Sequence, residues 1–274
     1  MSISQEKIKQ LEKKANEIRR TVIEALVNAG SGHTAGSLGM ADIFAYLFFH
    51  ALSHDPKKPN WSERDRLIIS NGHICPVLYA AMAQVGYFPI KNLVNGLRKF
   101  GSPFQGHPHR KFLPTLETSS GPLGEGLSQA IGMTLANKHK FFFCILSDAE
   151  LQEGNIWEAA MLAGKEKLGN LIVIIDRNKI QIGGWTEKIM PLEPLREKWE
   201  AFNWHTAEIN GNDFQELDTA ISAAKNFHTK PSVIIAHTIP GKGVKEFENK
   251  PEWHGKAPNK EEGERALREL QVTS

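Results

Sequence analysis

The stretch Phe141-Phe142-Phe143-Cys144-Ile145-Leu146-Ser147-Asp148-Ala149-Glu150 runs on through Asn155 to a second apolar run, Leu171-Ile172-Val173-Ile174-Ile175, and then to Asp176-Arg177-Asn178-Lys179-Ile180-Gln181-Ile182. Each apolar run is too short for a helix and unbroken by polar residues, the pattern of a strand buried on both faces. Between them Asn155 stands as a helix N-cap, with Glu158 three residues on in capping-box spacing. Ile156, Ala160 and Ala163 recur at helical spacing, and Gly169 supplies the stop. Strand, helix and strand within about 40 residues form a right-handed parallel crossover, so both strands end at the same edge of one sheet. Ligands of open α/β sheets bind at that edge. Asp148 and Asn178 therefore reach one mouth from neighbouring strands.

A carboxylate, an amide oxygen and a nearby main-chain carbonyl suit Mg²⁺, a hard cation that keeps places for water and substrate phosphates. No Cys or His stands among them, which argues against zinc. The plainer reading is that Asp148 caps its turn and Asn178 sits in a loop, and spacing alone does not separate the two.

The chain has 274 residues, with 33 basic and 31 acidic side chains, so its charge calls for neither a nucleic acid nor an anionic membrane as partner. Its length fits one large core, and residues 1–274 are expected to form a single domain. Cys75 and Cys144 lie in apolar surroundings and make no disulfide framework, as in a reducing compartment. The N-terminus has no apolar signal region, and no apolar run approaches the roughly 18 residues that span a bilayer. The expectation is a soluble, cytoplasmic α/β protein whose mostly parallel sheet carries helices on both faces.

Ile8, Leu11, Ala15, Ile18, Val22 and Leu26 make a long amphipathic helix ended by Gly30. A Gly-rich turn follows, Ser31-Gly32-His33-Thr34-Ala35-Gly36-Ser37-Leu38-Gly39-Met40, then an apolar helix over 41–51. Arg66 to Ser70 reads as a strand before Asn71-Gly72-His73 and a helix from about Val77 to Val85. Residues 86–120 look irregular, and a loop of that length is usually functional or mobile. Within it, Pro108 holds His107 and His109 on extended backbone with their rings apart, against a shared metal. Gly121-Pro122-Leu123-Gly124-Glu125-Gly126 opens a helix from Leu127 to His139 without following a strand, unlike a dinucleotide fingerprint. Further strands are expected at His205–Ile209 and Ser232–His237, and helices at about 194–202, 214–227 and 260–270. Gly241-Lys242-Gly243 lacks the glycine spacing of a P-loop.

Five segments resemble the transketolase family, in its order: 31–40, 67–73, 106–126, 147–182 and 241–258. Asp148, Glu153 and Asn178 are similar to that family's thiamine diphosphate motif, although Ser147 and Ala149 replace its two glycines. The resemblance implies a thiamine-diphosphate-binding (PP-type) domain with thiamine diphosphate and Mg²⁺ as cofactors, Ca²⁺ or Mn²⁺ serving as substitutes. It assigns metal binding to Asp148, Asn178 and the Ile180 carbonyl. It places His73 and His254 on the cofactor with Ala149, and Gly121, Leu123 and Ile182 around the thiazolium ring. His33, His107 and His254 become the catalytic imidazoles, contacting the sugar's oxygens and moving protons, and His109 has no role. Glu153 and Glu158 resemble the family's glutamates at the interface of two cofactor-binding units.

The resemblance covers only the family's first domain. It implies the N-terminal subunit of a split transketolase that moves a two-carbon ketol unit between sugar phosphates. A separate C-terminal subunit would bring the pyrimidine-binding domain, with two copies of each chain. The alternatives are the α-subunit of a 2-oxoacid dehydrogenase-type enzyme, which the His33 and His107 segments disfavour, and a non-catalytic subunit that kept the fold, which Ser147 and Ala149 permit.

Overall fold

The computed structural model describes residues 3–272; the ends of the expected span, Met1, Ser2, Thr273 and Ser274, lie outside the described residues. Five strands form the main sheet: β1 (Arg66–Ile69), β2 (Phe142–Ser147), β3 (Leu171–Arg177), β6 (His205–Asn210) and β7 (Ser232–His237), while β4 (Ile180–Gln181) and β5 (Gly184–Trp185) make a separate antiparallel hairpin. The sheet order is β1-β2-β3-β7-β6, and every pairing in it is parallel. This is the expected architecture.

The uninterrupted apolar runs divide between two cores, as a period of two requires. Phe143, Ile145, Ile172, Ile174 and Ile234 pack into one, and Phe142, Cys144, Leu146, Val173, Ile175 and Ile235 into the other. The first core is closed by the helices Gln5–Ala29, Ala41–Tyr46, Cys75–Val85, Phe214–Asn226 and Lys260–Val272. The helices Glu125–Ala136, Gly154–Glu166 and Leu195–Ala201 close the second. Each fully buried Ile, Leu or Phe contributes about 1.5–3 kcal/mol of transfer free energy. The middle strands β2, β3 and β7, buried on both faces, are therefore the rigid base of the site.

The long first helix starts at Ser4, whose hydroxyl accepts from the Lys7 N–H at 3.2 Å, and stops at Gly30 in the left-handed region. Four local expectations fail. Ala35–Gly39, inside the expected Gly-rich turn, is a short helix. Ile90–Gly96, inside the expected irregular stretch, is another, burying only Leu93. The crossover helix begins at Gly154 with Glu153 in the cap position and no side-chain cap, so Asn155 lies inside the helix, where its amide donates to the Leu123 carbonyl at 3.0 Å. That helix ends at Glu166, with Lys167 rather than Gly169 taking the left-handed turn.

Candidate active site

The register pairs Ser147 with Asp176, so the residues that follow β2 and β3 emerge side by side. Asp148 is fully buried there. Its Oδ1 accepts from the Ala149 N–H at 2.7 Å, and its Oδ2 from the Lys179 N–H at 2.7 Å and Arg177 Nη1 at 2.9 Å. Asn178 donates from Nδ2 to Asp176 at 2.7 Å and accepts the Ile180 N–H on Oδ1 at 2.9 Å. Those contacts fix the amide with its oxygen turned away from Asp176, and a lone pair remains on Asn178 Oδ1 and on Asp148 Oδ1. The donor set is all oxygen and fits a hard divalent cation. Asp148, Asn178 and Ile180 are all buried; Asp148 lies between Ser147 and Ala149, and Ile180 precedes Gln181, three residues that line the adjacent cavity. Burial pushes the Asp148 carboxyl up to about 6 against the pull of Arg177, and burial pushes Asp176 up to about 7.

Above this edge opens a cavity of about 550 Å³ lined by His33, His73, His107 and His254 together with Gly121, Leu123, Ser147, Ala149, Glu150, Glu153 and Ile182. Segments far apart in sequence bring the four imidazoles together. Ring centroids lie 5.0 Å apart for His33–His73, 5.1 Å for His73–His254, 5.6 Å for His33–His254 and 6.5 Å for His33–His107. Burial lowers all four basicities; His33, also beside His254, His107 and Arg98, falls to about 4. They are neutral imidazoles at pH 7, each with one nitrogen to donate and one to accept. His33 Nδ1 and His254 Nδ1 are buried with no hydrogen-bond partner among the described residues. His109 lies tilted against Phe112, ring centroids 4.5 Å apart, and is not among the residues that line the cavity.

Two residues that carry the site escaped the sequence reading. Glu150, which reads as the polar end of a strand, is fully buried. It accepts from the Ser70 hydroxyl, from the Gly124 N–H at 2.6 Å and from the Ser147 N–H at 3.2 Å. One carboxylate thus binds the ends of β1 and β2 to the turn bearing Leu123. Gly124 is obligatory in that turn: its φ is +83°, and a Cβ there would stand 1.9 Å from Asn155 Oδ1. Arg177 is the second, a guanidinium held against Asp148. No sequence signal marks either residue, since Glu150 is held by Ser70 and Gly124 from other segments and Arg177 by Asp148 at the end of the neighbouring strand.

The departures at Ser147 and Ala149 are accommodated. Ala149 opens the 3₁₀ turn Ala149–Gln152 outside the positive-φ region, so the position does not require glycine. Its N–H, expected to face a diphosphate, is held by Asp148 Oδ1. Ala149→Gly should therefore leave thiamine diphosphate affinity within about tenfold, or 1.4 kcal/mol, as measured by calorimetric titration with Mg²⁺. A gain of several hundredfold would mean that Ala149 blocks the site.

Glu153 is exposed at the mouth, whereas Glu158 lies exposed outside the cavity lining, on the crossover helix beside exposed Met161 and Leu162. Leu123, Ile182 and Met190 are exposed at the rim, Ile182 by 82 %. Gln152 holds the Met190 carbonyl at 2.9 Å.

Residues 10–271 match the family model described as "Transketolase, thiamine diphosphate binding domain". The chain is 41% identical to the 6-deoxy-6-sulfo-D-fructose transketolase subunit of Clostridium sp. (strain MSTE9), covering 95% of this chain and 96% of that one. It is 40% identical to an apulose-4-phosphate transketolase subunit of Actinobacillus succinogenes, with the same coverage. The fold superposes on transketolase from Leishmania mexicana with a TM-score of 0.91 at 32% identity, covering 95% of this chain but 41% of that one. By sequence and by fold, the chain belongs to the transketolase family and corresponds to its thiamine diphosphate-binding domain.

Proposed function

We propose that residues 1–274 act as one domain, the N-terminal subunit of a two-chain transketolase that transfers a two-carbon ketol unit from a ketose phosphate to an aldose phosphate. The observation that carries this reading is the convergence of His33, His73, His107 and His254 on one cavity at the sheet edge where β2 and β3 deliver Asp148 and Asn178. The two-chain reading is supported by relatives named as transketolase subunits, whose length the chain nearly fills. The same names favour it over a 2-oxoacid dehydrogenase α-subunit, and the unstrained backbone at Ala149 weakens the case for a non-catalytic chain.

Asp148, Asn178 Oδ1 and the Ile180 carbonyl would hold Mg²⁺, with Ca²⁺ or Mn²⁺ as substitutes. His73 and His254 would face the diphosphate, and Gly121, Leu123 and Ile182 would frame the ring system. Thiamine diphosphate, when bound, supplies the electron sink for carbon–carbon cleavage. The chain's own part is to bind, orient and move protons. His33, His107 and His254 would donate to the ketose carbonyl and hydroxyl oxygens or accept from them, a task suited to imidazoles kept neutral at pH 7. Glu153 and Glu158 would meet the partner, whose docking would cover the apolar rim in an assembly of two copies of each chain.

Both cysteines are free and buried, and among the described residues no helix is long and apolar enough to cross a membrane. Burial pushes the Cys75 thiol up to about 12. These features support a cytoplasmic protein.

The histidines test this reading. With the partner present, His33→Ala, His107→Ala and His254→Ala should each lower ketol-transfer turnover by about 10²–10⁴-fold with unchanged circular dichroism. His109→Ala, whose ring faces Phe112, should stay close to wild type. Equal damage from His109→Ala and His107→Ala would overturn the assignment.

A further inference from the structure

We propose that Arg177 is a positioning residue, latching the segment 182–193 to the Asp148 carboxylate so that ordering of the segment and cation binding at Asp148 are coupled. This rests on the reading of Asp148 as the charged metal ligand. Arg177 ends β3 with its side chain 1 % exposed. Its Nη1 reaches Asp148 at 2.9 Å and the Thr186 hydroxyl at 3.1 Å; its Nη2 reaches Glu187 at 2.6 Å and Glu193 at 2.8 Å. One planar group therefore has one nitrogen shared between Asp148 and Thr186, and the other on the carboxylates of Glu187, in the short helix Thr186–Ile189, and Glu193. A guanidinium is a rigid fork, so moving one set of partners moves the other.

The two glutamates also shape the segment that they belong to. Glu187 Oε1 accepts from the Leu192 N–H at 3.1 Å, and Glu193 Oε2 from the Leu195 N–H at 2.9 Å. Two acidic side chains brought this close would repel without the guanidinium between them. The segment that they close begins with Ile182 and Gly183, which line the cavity together with Gln181. Loss of the latch would loosen the rim that presents Ile182.

The charge count gives the coupling its sign. Three carboxylates around one guanidinium leave two uncompensated negative charges, a match for a divalent cation. With Glu187 and Glu193 in place, Arg177 has other anions to satisfy it and can share Asp148 with a metal. Without them the buried guanidinium must be neutralised by Asp148 alone, and it competes with the metal for that carboxylate. Glutamates of this segment that touch neither metal nor substrate thereby set the affinity of the site.

The test uses the full chain, with the partner present, carrying Glu187→Gln and Glu193→Gln together, and separately Arg177→Lys. Hydrogen exchange would be followed over 182–193, and Mg²⁺ would be titrated calorimetrically with thiamine diphosphate present. The double variant is expected to lose exchange protection in 182–193 and to bind Mg²⁺ about 10-fold more weakly, within the usual range of coupling between sites. Because coupling is reciprocal, Mg²⁺ with thiamine diphosphate should raise protection of 182–193 in the wild type and less in the variants. A released segment with unchanged Mg²⁺ affinity, or a segment equally protected in wild type and variants, would overturn the proposal. Asp148→Ala, titrated alongside, separates the two levels. Unchanged affinity there removes the metal site itself and the coupling with it, whereas lost affinity there with none in the glutamate variant removes the coupling alone.

Discussion

Purified by itself, this chain should show no ketol transfer, and activity should appear when a second chain bearing the pyrimidine-binding half is added. The cavity is open, and large apolar side chains, Ile182, Met190 and Leu123, stand in solvent around it alongside Glu153. A cofactor seated between His73 and Ile182 would have one wall. Reactive carbon centres need exclusion of water to survive, and half a cleft cannot provide it. The exposed rim also predicts self-association or poor solubility of the lone chain, readable by light scattering before and after the partner is added. A coupled assay decides the matter, and full activity from the single chain would end the two-chain reading.

The second large effect is at Asp148. Asp148→Ala should weaken Mg²⁺-dependent binding of thiamine diphosphate by about 100-fold or more, exceeding the 10- to 100-fold that outer-shell partners of a metal site typically cost. Asp148 is the only charged oxygen donor of the proposed set, and its carboxylate is already aimed by Arg177 and two backbone N–H groups. Asn178→Ala, which removes a neutral donor, should cost less, about 10-fold. The fold should hold, since Arg177 keeps Glu187 and Glu193 as partners. Asp148→Asn keeps the shape and serves as a second variant if the alanine melts early. Calorimetry with Mg²⁺ present reads both, and unchanged affinity for Asp148→Ala would displace the metal site.

The sheet was legible from the sequence because its strands are buried on both faces, which leaves runs such as Leu171 to Ile175 without a polar interruption. The crossover alone brought Asp148 and Asn178 to one edge, but nothing in their spacing chose between a metal site and a capped turn. The histidines were legible only through resemblance, since His33, His73, His107 and His254 come from four separate segments. Local rules failed where distant segments meet. Asn155 has good capping chemistry, yet it lies inside the helix, its amide bonded to the Leu123 carbonyl, 32 residues away. Glu150 is explained by Ser70, at a separation of 80 residues, and no local pattern announces it. The helix Ile90–Gly96 buries only Leu93, too little for a periodic signal.

The order β1-β2-β3-β7-β6 has a consequence for how the chain emerges from a ribosome. β1 is complete long before Phe142 appears and has no strand to join until β2 is made. β6 waits too, because its sole neighbour in the sheet is β7, which follows it in the chain. At about 5–20 residues per second, β6 waits roughly one to five seconds with both edges unpaired while the helix Phe214–Asn226 is synthesised. β7 then has to enter between β3 and β6 and hydrogen-bond on both sides. Nascent chains stalled within that interval carry open edges that a chaperone would have to cover. A chain broken before Ser232 loses two strands at once, β7 and the β6 that has nothing else in the sheet to hold.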